Sequence, residues 1–131
     1  MMKFSKLAII SVCTVGLVSF NAEASIEAAL ANICTIVQSD DKSELRKKMK
    51  SVQSDYAMKL ADYYDGITCS GNSLIRTAML SNAVESGTLL VKRMPKSKLR
   101  EPETDGILLT DWIASNGLET SAIAAVVKER M

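Results

Sequence analysis

Beyond residue 25, apolar residues recur at three- and four-residue steps, the period of a helix with one buried face. Ile26, Leu30, Ile33 and Val37, with Ala29 and Ile36 beside them, predict a helix over 26–38. Ser39-Asp40-Asp41 breaks it. Asp41 is a good N-cap, and Glu44 three residues later completes a capping-box pattern, so a second helix starts there with Leu45, Met49 and Val52 on its buried side. Tyr56, Leu60, Tyr63 and Tyr64 share one broad face and predict a third helix over 54–64, stopped by Asp65-Gly66. Ser70-Gly71-Asn72 is a turn cluster, and Asn72 or Ser73 caps a helix over 74–80. A fifth helix follows the break at Ser81-Asn82 and covers 84–94, where Gly87 is a tolerated weakness. Two prolines and alternating charges over 95–103 predict a loop, within a mobile linker near 95–106. Helices over 107–115 and 118–131 close the chain, separated by the stop Asn116-Gly117, with Leu108 and Trp112 expected in the core. The pattern is that of an all-α bundle of about seven helices.

The first 24 residues have a different pattern. Lys3 and Lys6 precede an uncharged apolar run over 7–20, and Ala22-Glu23-Ala24 offers a small-residue cleavage site. That order predicts a secretory signal peptide cleaved at Ala24, leaving 25–131 as a single helical domain. The run of about 14 residues is short for a spanning helix, which needs about 20. An uncleaved N-terminal anchor is the rival reading. Export places the mature chain in the periplasm or outside the cell, with no stable membrane anchor.

Charge and composition exclude several functions. The sequence has 16 basic and 15 acidic residues; without Lys3, Lys6 and Glu23 it is formally neutral, which gives no footing for a nucleic-acid partner. There is no histidine. Ser-His and Cys-His nucleophile pairs are thereby removed, together with the commonest metal ligand. No catalytic residue, metal site or cofactor is expected. Of three cysteines, Cys13 falls in the leader, and an even pair, Cys34 and Cys69, remains. In an oxidising compartment such a pair reads as a disulfide; two buried free thiols are the alternative.

Three clusters are candidates for chemistry. Cys69 precedes a helix N-terminus, a place that can activate a thiol, but no second cysteine stands in a CxxC arrangement. Arg46-Lys47-Lys48-Lys50 reads as a solvated helix face, with Glu44 placed to pair with Lys48. Tyr63, Tyr64 and Asp65 form the densest aromatic spot in the chain. They read either as core packing with the hydroxyls at the surface or as a contact surface for a partner, since tyrosine is enriched where proteins meet.

A short repeat runs through the second half. Ser81-Asn82-Ala83-Val84-Glu85-Ser86 parallels Ser115-Asn116-Gly117-Leu118-Glu119-Thr120 at an offset of 34, and the first two helices resemble a divergent third copy. Short helix, tight turn and longer helix in that order match ankyrin-like stacking of helical hairpins. Cys34, the stretch from Asp40 to Met49, and Gly66-Ile67-Thr68-Cys69-Ser70-Gly71-Asn72-Ser73-Leu74 resemble a family of small exported bacterial proteins built on an uncharacterised two-cysteine domain. The resemblance covers about 29–94 and is most specific at Cys-x-Gly-x-Ser-Leu, Cys69 to Leu74. It implies no activity and no catalytic residue. The expected function is a non-catalytic interaction protein with an envelope protein as partner. The alternatives are a small-ligand-binding helical module and a thiol-dependent redox protein using Cys69.

Overall fold

The structure, a computed structural model, describes residues 26–131; the expected leader and its cleavage site at Ala24 lie outside the described residues. The described residues divide into two units, 26–31 and Asn32–Met131. In the first, 26–29 make a helical turn in which the Leu30 N–H donates to the Ile26 carbonyl at 3.1 Å. The second unit has no strand among the described residues and contains α1 (Ile33–Gln38), α2 (Lys42–Tyr56), α3 (Leu60–Tyr63) running into a 3₁₀ turn (Tyr64–Gly66), α4 (Leu74–Leu80), α5 (Val84–Arg93), α6 (Lys96–Leu99), α7 (Leu109–Ser115) and α8 (Ala122–Arg130).

Local capping explains several of these starts. Asp41 accepts from the Glu44 N–H at 3.1 Å, Ser73 from the Arg76 N–H at 3.3 Å, and Ser121 from the Ala124 N–H at 3.1 Å. Three expectations need correction. The helix predicted over 26–38 does not run unbroken, because Asn32 takes φ 65°. The helix predicted over 54–64 is divided at Ala57, φ 55°, so its first residues extend α2. The stretch 95–103, expected to be irregular, holds α6, and Leu99 is buried. Just beyond it, the Glu103 N–H donates to the Ile107 carbonyl at 3.0 Å, closing a small loop over 103–107.

Three of the connections are the same turn. At each, a helix ends in a left-handed residue and the next N–H reaches back five residues: Asp41 to Ile36 at 3.1 Å, Ala83 to Ala78 at 2.8 Å, and Leu118 to Ile113 at 3.0 Å. The left-handed residues are Asp40, Asn82 and Gly117 (φ 57°, 52° and 66°), the residue types that tolerate this conformation best. α1–α2, α4–α5 and α7–α8 are therefore three hairpins with one turn geometry. The second and third are offset by 35 residues, not 34, because Asn82 corresponds to Gly117 and not to Asn116.

The hairpins pack side by side, α1 against α4, α2 against α5, and α5 against α8. Leu45, Leu74, Ile75, Leu90, Leu109 and Ile123 fill the core. The N-cap residue before α5 is Ala83, which has no capping side chain. Asp40 supplies the cap from the neighbouring hairpin, accepting from the Ser86 N–H at 2.7 Å and the Glu85 N–H at 3.5 Å. Gly87 is the contact on which α5 and α8 close. A Cβ there would lie 2.8 Å from Cγ1 of buried Ile123 and 3.2 Å from the Ala78 Cβ. The glycine that weakens the helix is thus the one that permits the packing.

Candidate functional site

The two cysteines are joined. Cys34 on α1 and Cys69 form a disulfide with Cα atoms 5.6 Å apart. Cys69 sits on a tight reverse turn whose ends exchange hydrogen bonds, Cys69 N–H to Asn72 at 2.7 Å and Asn72 N–H to Cys69 at 3.1 Å. Both central residues, Ser70 (φ 53°) and Gly71 (φ 85°), are left-handed, as a two-residue turn of this hand requires. The bridge fastens the first hairpin to the turn that opens the second, and Cys69 is buried.

Tyr63, Tyr64 and Asp65 do not form a common surface, and the contact-surface reading of this trio is corrected. Both rings are buried, because consecutive residues of a helical turn point in different directions and here each direction meets core. Tyr64 donates its hydroxyl to Glu103 Oε2 at 2.7 Å. Asp65 alone is exposed, and it pairs with Lys98 Nζ at 2.5 Å.

Following Tyr64 leads to a charged cluster that the sequence pattern did not reveal. Arg76 stands in the middle of α4, in an apolar run where every residue from Leu74 to Met79 is buried. Its side chain is 5% exposed and that of Glu103 10%. Arg76 Nε lies 2.6 Å from Glu103 Oε1 as an ion pair; the N–H is not aligned for a hydrogen bond. The two terminal nitrogens fork onto Asp105, Nη1 at 2.7 Å from Oδ2 and Nη2 at 3.1 Å from Oδ1, and Nη2 also donates to the Ile107 carbonyl at 3.4 Å. Ser73 Oγ donates to Glu103 Oε1 at 2.9 Å. The guanidinium carbon lies 5.2 Å from the Trp112 ring centroid, a cation–π contact. Trp112 is thus half-buried as a lid on Arg76, not a core anchor, and Leu108 is likewise half-buried; Leu109 and Ile113 are the buried residues of α7. The sequence signal for this cluster was one charge inside an apolar run, which demands a partner. The partners, 27 and 29 residues further on, lie in the stretch whose prolines and charges predict a linker.

The electrostatics are those of a closed ion cluster. Burial opposes the charge on Arg76, but the Asp105 hydrogen bond and the charges of Glu103 and Asp105 outweigh it, so its pKa is raised. The Arg76 hydrogen bond, helped by the Ile107 N–H, lowers that of Asp105. Burial, and then the charge of Glu103, pushes the Tyr64 hydroxyl far above its ordinary 10.0. Tyr64 is held as a donor, and both Glu103 oxygens are engaged, so neither group is free to accept a substrate proton.

A raised pKa means that the folded state favours protonated Tyr64. Its contribution to stability is complete below the free tyrosine pKa near 10 and is lost as pH rises through the folded value. In an alkaline titration of the native protein, the phenolate absorbance of Tyr64 should appear only as helical circular dichroism is lost. Tyr64→Phe should flatten the fall of stability above pH 10. A tyrosine signal that titrates fully near pH 10 in the folded Tyr63→Phe protein would contradict this burial.

Comparison with known protein families matches residues 33–101 to the family described as Protein of unknown function (DUF3718). The match spans both bridged cysteines, the first two hairpins and Arg76, and ends two residues before Glu103. No curated protein and no solved structure matches the chain.

Proposed function

We propose, for a chain that belongs to the DUF3718 family of proteins of unknown function, that it is an exported, non-catalytic interaction protein of the periplasm or the extracellular space. The observation that carries the non-catalytic reading is the Arg76 cluster. Its ionisable members, Arg76, Glu103, Asp105 and Tyr64, are each spent on another. Export is supported by the leader pattern over 1–24 and by the disulfide, a bond that persists in oxidising compartments. No helix among the described residues is long and apolar enough to cross a membrane. Burial of Cys69 and the long separation from Cys34 favour a staple over a redox pair, since exchange needs an accessible sulfur.

The contact surface in this reading surrounds Arg76. Ile107 lends its carbonyl to the guanidinium, Trp112 covers it, and Leu80 lies one turn further along the same side of α4. Leu80 is 54% exposed and Ile107 44%, the exposed large apolar side chains among the described residues. A half-buried tryptophan over Arg76, with exposed Ile107 bonded to the same guanidinium and exposed Leu80 one helical turn from it, has the composition of an interface centre.

The test is crosslinked co-purification of the tagged protein from its native envelope, with Leu80→Ser/Ile107→Ser as comparison. Exposed substitutions of this kind cost little stability, so circular dichroism should be unchanged. Recovery of the partner should fall by roughly tenfold or more, the size of a hot-spot loss. Undiminished recovery by the double variant would overturn the surface, and substrate turnover by the purified protein would overturn the non-catalytic reading.

A further inference from the structure

A second feature shares no residue with that patch. α2 (Met49, Gln53), α3 with the residue before it (Lys59, Leu60, Tyr63) and the end of α5 (Arg93) line a cleft of about 100 Å³. Its base is apolar, since Met49, Leu60 and Tyr63 are each 5% exposed. Lys59 and Arg93 carry donors only, and Gln53 and Tyr63 each add a donor beside an acceptor. Neither Lys59 nor Arg93 forms an ion pair among the described residues, and the Tyr63 hydroxyl has no hydrogen-bond partner there, although its ring is buried. The neighbouring Tyr64, by contrast, donates its hydroxyl to Glu103. Asp62 is the acid nearest Tyr63 in its effect, and its Oδ2 already accepts the Lys59 N–H at 2.8 Å.

A guanidinium, an ammonium, a phenol hydroxyl and the amide of Gln53 around an apolar floor call for a ligand that only accepts at one end and is apolar at the other. The guanidinium fork fits a planar carboxylate with two parallel hydrogen bonds, and the lysine adds a point charge. Size restricts the ligand further. At about 100 Å³ the cleft is somewhat smaller than a cavity of about 150 Å³ that takes benzene, a size that suits a carboxylate and a few carbons. We infer that this cleft binds a carboxylate carrying a short apolar group, with Arg93 and Lys59 on the carboxylate, Tyr63 donating to it, and Met49 and Leu60 against the apolar part. Such a group occurs in a free short-chain acid and at the C-terminus of a peptide ending in an aliphatic residue. Burial raises the Tyr63 pKa, which keeps its hydroxyl a donor.

The experiment is an NMR titration of the purified, disulfide-bonded protein with sodium hexanoate, hexanol, and N-acetyl-alanyl-leucine as free acid and as amide, at constant ionic strength in sodium chloride. Hexanoate or the peptide acid should give saturable shifts centred on Met49, Leu60, Tyr63 and Arg93, and hexanol and the amide should not. Arg93→Gln and Lys59→Gln should each weaken binding by roughly tenfold, the loss expected for one charge-assisted hydrogen bond. Tyr63→Phe preserves the buried ring and should weaken it by about threefold or more. Tighter binding of the peptide acid than of hexanoate identifies a chain terminus as the source; the reverse order identifies a free acid. The inference is overturned if neither acid saturates, if chloride alone reproduces the shifts, if the shifts centre elsewhere, or if Arg93→Gln and Lys59→Gln bind as the unaltered protein does. Because the Leu80–Ile107 variant leaves this cleft intact, loss of one site does not imply loss of the other.

Discussion

Replacing Cys69 by serine should lower the stability of the folded domain by roughly 2–5 kcal/mol, the usual loss for a native bridge in a small domain. The bridge joins residues 35 apart and closes a loop that holds α2 and α3. On the chain-entropy account such a closure removes roughly 4 kcal/mol of freedom from the unfolded state. That is a large share of the roughly 5–15 kcal/mol that holds a native domain folded. Cys69→Ser also puts a hydroxyl where a buried sulfur stood, whereas Cys34→Ser changes a half-buried position, so the first should cost more. Urea unfolding monitored by circular dichroism measures both. If neither midpoint moves, the bridge is not what stabilises the join between the first hairpin and the second.

Arg76→Met should cost about as much, roughly 3–5 kcal/mol, because it leaves the Glu103 carboxylate buried without its cation. Tyr64 and Ser73 would still donate to that carboxylate, but two neutral hydrogen bonds do not replace a guanidinium. The double variant Arg76→Met/Glu103→Leu removes both charges and should recover a substantial part of the loss. That non-additivity is the signature of a coupled buried pair. Asp105→Asn should have a much smaller effect, since that side chain is 44% exposed and water screens its charge. Equal losses in the single and double variants would show that α4 needs the length of arginine and not its charge.

What could be read in the sequence was what depends on near neighbours. Asp41 with Glu44, and Ser73 before Leu74, announce helix starts through side chains that bond only three residues away. The cysteine pair was legible from count and expected compartment, and the hairpin repeat from its turn residues. The remainder depends on partners far along the chain. Asp40 looks like a helix breaker, and it is one, but its carboxylate also caps α5 more than forty residues later. Ala57 gives no local sign of a left-handed conformation, so the division of the 54–64 stretch could not be foreseen. Glu103 and Asp105 lie among prolines and charges that read as linker until Arg76, buried on α4, gives them a partner. Trp112 misled for the same reason: apolar neighbours imply core, and only the position of Arg76 shows why the ring stops at the surface. The one-residue error in the repeat offset came from matching Asn to Asn, when backbone geometry matches Asn82 to Gly117.

Export and a structural bridge together are the central claim about this domain. Intact mass spectrometry under non-reducing conditions, on protein recovered from the native envelope and exposed to a thiol-alkylating reagent while folded, tests it directly. The expected mass is that of residues 25–131 less two hydrogens, with no alkyl group added. A mass that retains residues 1–24, or one that carries two alkyl groups, would contradict it.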